Sequence, residues 1–217
     1  MKRVTRILLL LLAATVLLVG AEELRERFSQ RPSDLRTFDA AAVGRLDTDM
    51  WRSYYERRPV RLFEQMISLL RTQYGMPPLE AVTNAYRAAH AAFVFKDGRS
   101  RADYEKALPD LEAYYHDIAA RSARHFDARR AATLELEWWI VHRENPPELP
   151  AALAALQAEI YGLPAERFAE HARLRAQAMD LRDGKGSAIT EADWQRIGKL
   201  LAASWNSLHA ALNVGWL

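Results

Sequence analysis

The chain has 217 residues, half of them apolar and 27% charged, which suits one globular domain with a substantial core. Its formal charge of +2 depends on Lys2, Arg3 and Arg6. Beyond them 27 basic side chains face 28 acidic ones, a near-neutral body that argues against nucleic acid as a partner. Cysteine is absent, which excludes disulfides, iron–sulfur clusters, thiol catalysis and covalently attached c-type haem.

Residues 1–21 combine that basic start with an apolar run over residues 7–21, and Val19-Gly20-Ala21 precedes Glu22-Glu23 as small residues precede a cleavage site. This is the pattern of a secretory signal peptide. The run is shorter than the ~20 residues that span a bilayer, although Val4 and Thr5 could lengthen it into an uncleaved membrane anchor. Either reading keeps the basic end in the cytoplasm. The body is then expected in the periplasm or on the extracytoplasmic face of the inner membrane, with the N-terminal segment as its contact with the membrane.

Residues 22–46 are mixed in charge and weakly patterned, with a turn at Arg31-Pro32-Ser33-Asp34, and read as a linker with at most a short helix over 39–43. The helical domain is expected over residues 47–217, with Asp47 as the N-cap of its first helix. Pro59 interrupts that helix and predicts a kink or break near Arg58. Beyond it Val60, Phe63, Ile67, Leu70 and Tyr74 form a stripe at spacings of three and four. Gly75-Met76-Pro77-Pro78 separates it from a helix over 79–95, for which Val82, Ala85, Ala89 and Phe93 are the expected inward side. Ser100 and Asp103 form a shortened capping box, and Leu111, Tyr115 and Ile118 carry a seam past Pro109.

Residues 127–144 form the most continuously apolar segment after the N-terminus, with Leu134, Leu136, Trp138, Trp139, Ile140 and Val141 distributed around the whole helix. A helix apolar on nearly every side is expected at the centre of a bundle. Further helices are expected over 149–161, over 164–181, and from the capping box Thr190-Glu191-Ala192-Asp193 through Ile197, Leu201, Trp205, Leu208 and Leu212. The loop Asp183-Gly184-Lys185-Gly186-Ser187 matches no phosphate-binding pattern. The expected fold is all-α, a bundle of six or seven helices preceded by the signal or anchor.

Two constellations could carry function. Trp51, Tyr54, Tyr55, Arg57, Arg58 and Arg61 interleave aromatic and guanidinium groups, a composition that suits a protein partner in the envelope or a small apolar or anionic ligand. Glu112 with His116, and Glu135 with His142, each share a helical face. Converging from two helices, they would suit iron, manganese or zinc in a metal-dependent oxidoreductase. The Glu-x-x-His repeat of di-metal bundles is missing. Gly-x-Ser-x-Gly and nucleotide fingerprints are missing too, and Ser204 and His209 on one helix have no evident third member. A non-enzymatic exported binding domain is the favoured expectation, with no resident cofactor, and the metal enzyme is its rival.

Overall fold

A computed structural model describes Gly20 and residues 34–213; Gly20 apart, the expected leader, the first part of the expected linker and the tail 214–217 lie outside the described residues. No strand occurs among them, and no described helix is long and apolar enough to cross a membrane. Eight helices of thirteen residues or more make up the fold: α1 (Ala40–Tyr55), α2 (Pro59–Tyr74), α3 (Pro78–Asp97), α4 (Leu108–Arg121), α5 (Ala128–Glu144), α6 (Leu149–Tyr161), α7 (Ala169–Lys185) and α8 (Glu191–Asn213). A single helical turn, Arg101–Tyr104, leads into α4.

The expectation of six or seven helices is corrected to eight because Pro59 breaks the chain rather than kinking it. Proline sits at the first position of α2, where its missing N–H costs no helical bond. The reversal ahead of it is made by Arg57, held in the left-handed region at φ 56°. The start of the domain also moves. Asp39, not Asp47, caps the first helix, its carboxylate accepting from the Ala42 N–H. Leu35, Phe38 and Val43 are buried, so residues 34–46 belong to the folded body.

Each helix packs on the one before it and the one after it, and α8 returns to lie along α1. Short connections make successive helices antiparallel. The α1–α8 seam confirms the direction, since Gly44 faces Ala202, Thr48 faces Gly198 and Arg52 reaches Glu191. The result is a closed ring of eight helices, with the C-terminal ends of α1, α3, α5 and α7 on one rim. On the opposite rim Phe38 packs edge-on against Trp205 and His209, at 5.9 and 5.4 Å between ring centres.

A ring has no central post, and α5 is not one. It buries Ala131, Ala132, Leu136 and Ile140 on one side, while Trp138 and Trp139 are half-buried. Helix α6 is the most enclosed, with Ala151 its one exposed residue, and in α8 Ile197, Leu201, Ser204 and Leu208 are inaccessible. Between α1, α7 and α8 lies a polar seam: Arg175 Nη1 and Trp205 Nε1 both donate to Asp47 Oδ2. On α3 the buried side is Ala81, Asn84, Ala85 and Ala91. Ala85 is thus placed as expected, whereas Val82 and Phe93 are exposed and Ala89 is half-buried.

Candidate functional site

Towards the rim that carries the odd-numbered C-termini, the ring holds a cleft of about 540 Å³. Helix α1 contributes Met50, Trp51, Tyr54 and Tyr55; α2 adds Leu62 and Met66; α3 adds Ala88, Ala89, Ala92, Phe93, Phe95 and Lys96. Across from them stand Trp138, Trp139, His142 and Arg143 of α5 with Arg175, Met179 and Asp183 of α7. The small alanines of α3 leave room that large side chains on the facing helices do not fill. Seven of the lining side chains are aromatic and three are methionines, a surface that is apolar, polarisable and adaptable.

The floor is fixed by hydrogen bonds. Trp139 Nε1 donates to Glu135 Oε1 at 2.9 Å, and the Tyr115 hydroxyl donates to the other oxygen at 2.7 Å. Burial raises the Tyr115 and Tyr114 hydroxyls well above the usual phenol range, with the Glu135 charge adding to it, so both stay protonated. Phe95 and Trp138 pack edge-on against the Trp139 ring, at 5.3 and 6.1 Å.

Charged groups lie around this apolar lining. Arg175 is neutralised by Asp47 and lies 5.4 Å from the Trp51 ring centre. Arg182 covers the Tyr55 face at 3.6 Å, and the Tyr55 hydroxyl is pushed up to about 12, chiefly by burial and then by the Asp183 charge. His142 Nε2 and Asp183 Oδ2 meet at 2.8 Å, joining α5 to α7. Arg143, one residue on, turns to α3 instead. It donates to the carbonyls of Phe95 and Gly98, both at 3.2 Å, with its guanidinium 4.1 Å from the Phe95 ring centre.

The aromatic–arginine constellation therefore divides. Trp51, Tyr54 and Tyr55 line the cleft, while Arg57, Arg58 and Arg61 are exposed at the α1–α2 corner and do not line it. Of these, Arg58 pairs with Glu56 at 3.0 Å. The two Glu/His pairs do not converge. Glu112 pairs with Arg129, His116 is 78% exposed beside Asp117, Glu135 holds Tyr115 and Trp139, and His142 holds Asp183. Among the described residues no three of His, Cys, Asp and Glu gather as a metal-holding group. Only His142 of the four faces the cleft.

The α2, α3 and α7 sides of the cleft are absent from the sequence-based candidates, as is the α5 side apart from His142. The available signal was an excess of apolar residues over what one buried side of a helix can absorb, as in Ala88-Ala89-His90-Ala91-Ala92-Phe93-Val94-Phe95 and Trp138-Trp139. Such a surplus marks either a central helix or one that lines a cavity, and its sequence does not separate the two.

Ser204 does meet a histidine, but on another helix and in a form unsuited to nucleophilic catalysis. His171 Nδ1 lies 3.0 Å from the Ser204 carbonyl and 2.8 Å from Ser204 Oγ, while Oγ donates to the His171 carbonyl at 2.9 Å. A nitrogen facing a carbonyl must carry the proton, so it cannot accept one from the hydroxyl. His209 instead packs on Phe38 and meets Asn213. The chain matches no family model, no curated protein and no solved structure.

Proposed function

We propose that this chain is a binding domain of the cell envelope that accommodates a small, mainly apolar molecule between its helices. The observation that carries the reading is the cleft itself. Its ~540 Å³ falls within the range of small-molecule sites, and a mostly aromatic and methionine lining with a few placed polar groups is their usual composition. The envelope part of the reading rests on Lys2, Arg3 and Arg6 ahead of the apolar run over residues 7–21. Binding rather than turnover is favoured because Asp183, the carboxylate in the lining, is bonded to His142, and Asp47 and Glu135 behind the lining each hold protein groups in place. The metal-enzyme reading has less support, since Glu112, His116, Glu135 and His142 keep separate partners.

The test uses the detergent-free protein and the neutral fluorescent probe N-phenylnaphthylamine. The native chain is expected to bind it saturably. Ala92→Trp, which introduces a large ring from an exposed position on the lining, is expected to abolish binding without lowering the melting temperature. Equal binding to both proteins, or no binding to the native one, overturns the reading.

A further inference from the structure

We infer that the ligand is an amphiphile with a single apolar tail and one anionic head, a carboxylate or a phosphate, and that its head lies at the corner where Lys96 meets Arg143. The inference rests on the cleft being a binding site and adds the chemistry of its occupant.

Three observations point to a negative head. Arg143 is held against α3 by two backbone carbonyls and the Phe95 ring, all uncharged, so its full positive charge remains undischarged. One of those carbonyls belongs to Phe95, the residue directly before Lys96, and Lys96 and Arg143 both line the cleft, so the two cations belong to the same end of α3. Among the described residues neither cation has a carboxylate partner. Like charges placed together repel, and an anion between them removes the repulsion and gains two charge-assisted hydrogen bonds.

The remaining charges of the lining are committed elsewhere. Arg175 is neutralised by Asp47, and the one carboxylate that lines the cleft, Asp183, is turned to His142 on the α7 side. Consecutive residues of α5 thus reach opposite neighbours, His142 to α7 and Arg143 to α3, which separates the acid from the cations. The same lining includes Trp138, Trp139, Ala92 and Met179, an apolar surface suited to a hydrocarbon tail. A solute with a charged group at each end, or one polar throughout, would have no partners along that surface, and a cationic amphiphile would meet Lys96 and Arg143 head-on.

The experiment measures binding of laurate, dodecyl phosphate, dodecanol and dodecyltrimethylammonium by tryptophan fluorescence, each below its micelle concentration. Laurate or dodecyl phosphate is expected to bind about tenfold tighter than dodecanol, an advantage that shrinks as salt is raised. Whichever of the two anions binds more tightly identifies the head group. Dodecyltrimethylammonium is expected to bind weakest. Lys96→Glu should remove most of the anion's advantage, lowering laurate affinity far more than dodecanol affinity. Arg143→Gln should act in the same direction. Because Lys96 is exposed, its variant tests the corner even where the Arg143 variant loosens the end of α3. Equal affinity for laurate and dodecanol, or an unchanged ratio in Lys96→Glu, overturns the inference and leaves the cleft reading standing. Failure of all four compounds to bind, or binding undiminished in Ala92→Trp, overturns the cleft reading itself.

Discussion

His171 is inaccessible to solvent, 5.6 Å from the Trp205 ring centre, and is bonded through Nδ1 to Ser204. Burial, helped by the nearby Arg175 charge, lowers its pKa from 6.5 to about 4. The neutral ring is therefore the form the fold accepts, whereas the unfolded chain takes up a proton as soon as the pH passes below the ordinary histidine value. Stability is fully present above pH 6.5 and falls as the pH drops towards 4, by roughly 3 kcal/mol in total. Urea unfolding at pH 7.0, 5.5 and 4.5 should show this decline, and His171→Gln should flatten it. Asp117, Asp193 and Glu56 are held below their ordinary values by their hydrogen-bonding partners, against the effect of burial, so their own contribution is lost only below about pH 5, and the difference between pH 7.0 and 5.5 reports the histidine. A decline of equal size in the variant would place the proton uptake elsewhere.

At the scale of elements, α1 and α8 approach closely at two glycines. A Cβ on Gly44 would lie 3.1 Å from the Cα of Ala202, and one on Gly198 would lie 3.3 Å from Thr48 Cγ2. The first contact is with backbone, which cannot rotate away. Gly44→Val is expected to cost about 2–3 kcal/mol through overpacking, whereas Ala203→Val, on an exposed position of α8, should change stability little. Thermal melts of the two variants check this. Helix positions were legible because the signals are local. Residues 127–144, 149–161 and 190–212 match α5, α6 and α8 to within one or two residues, since Asp127 and Thr190 cap them and Pro146 and Gly162 punctuate them. The start of α1 was misread because Asp47 has the side chain of a cap. Its partners Arg175 and Trp205 lie more than a hundred residues away, and no local pattern announces them.

For the whole molecule, all-α character followed from periodicity, but the way the helices are arranged did not. An apolar surplus on α3 and α5 reads the same whether the helix stands inside a solid bundle or borders an open cleft. The distinction is made by which helices face each other across the ring, and that is a property of closure. Trp51, Tyr54 and Tyr55 are legible because guanidinium groups stand beside them in the sequence. Phe93, Trp138 and Trp139 read as core, and all three cations of that constellation, Arg57, Arg58 and Arg61, are exposed without lining the cleft.

Because the first and last helices lie side by side and antiparallel, the beginning of α1 and the end of α8 share one rim, where Phe38 touches His209. The order of the helices round the circle matters, and the point at which the polypeptide enters it does not. A circular permutant of residues 34–213, its old ends bridged by a short glycine–serine stretch and new ends cut at Pro146 in the exposed α5–α6 turn, should fold to the same far-ultraviolet spectrum with a melting point within a few degrees of the parent. A permutant that fails to fold would mean that residues outside this circle hold it together.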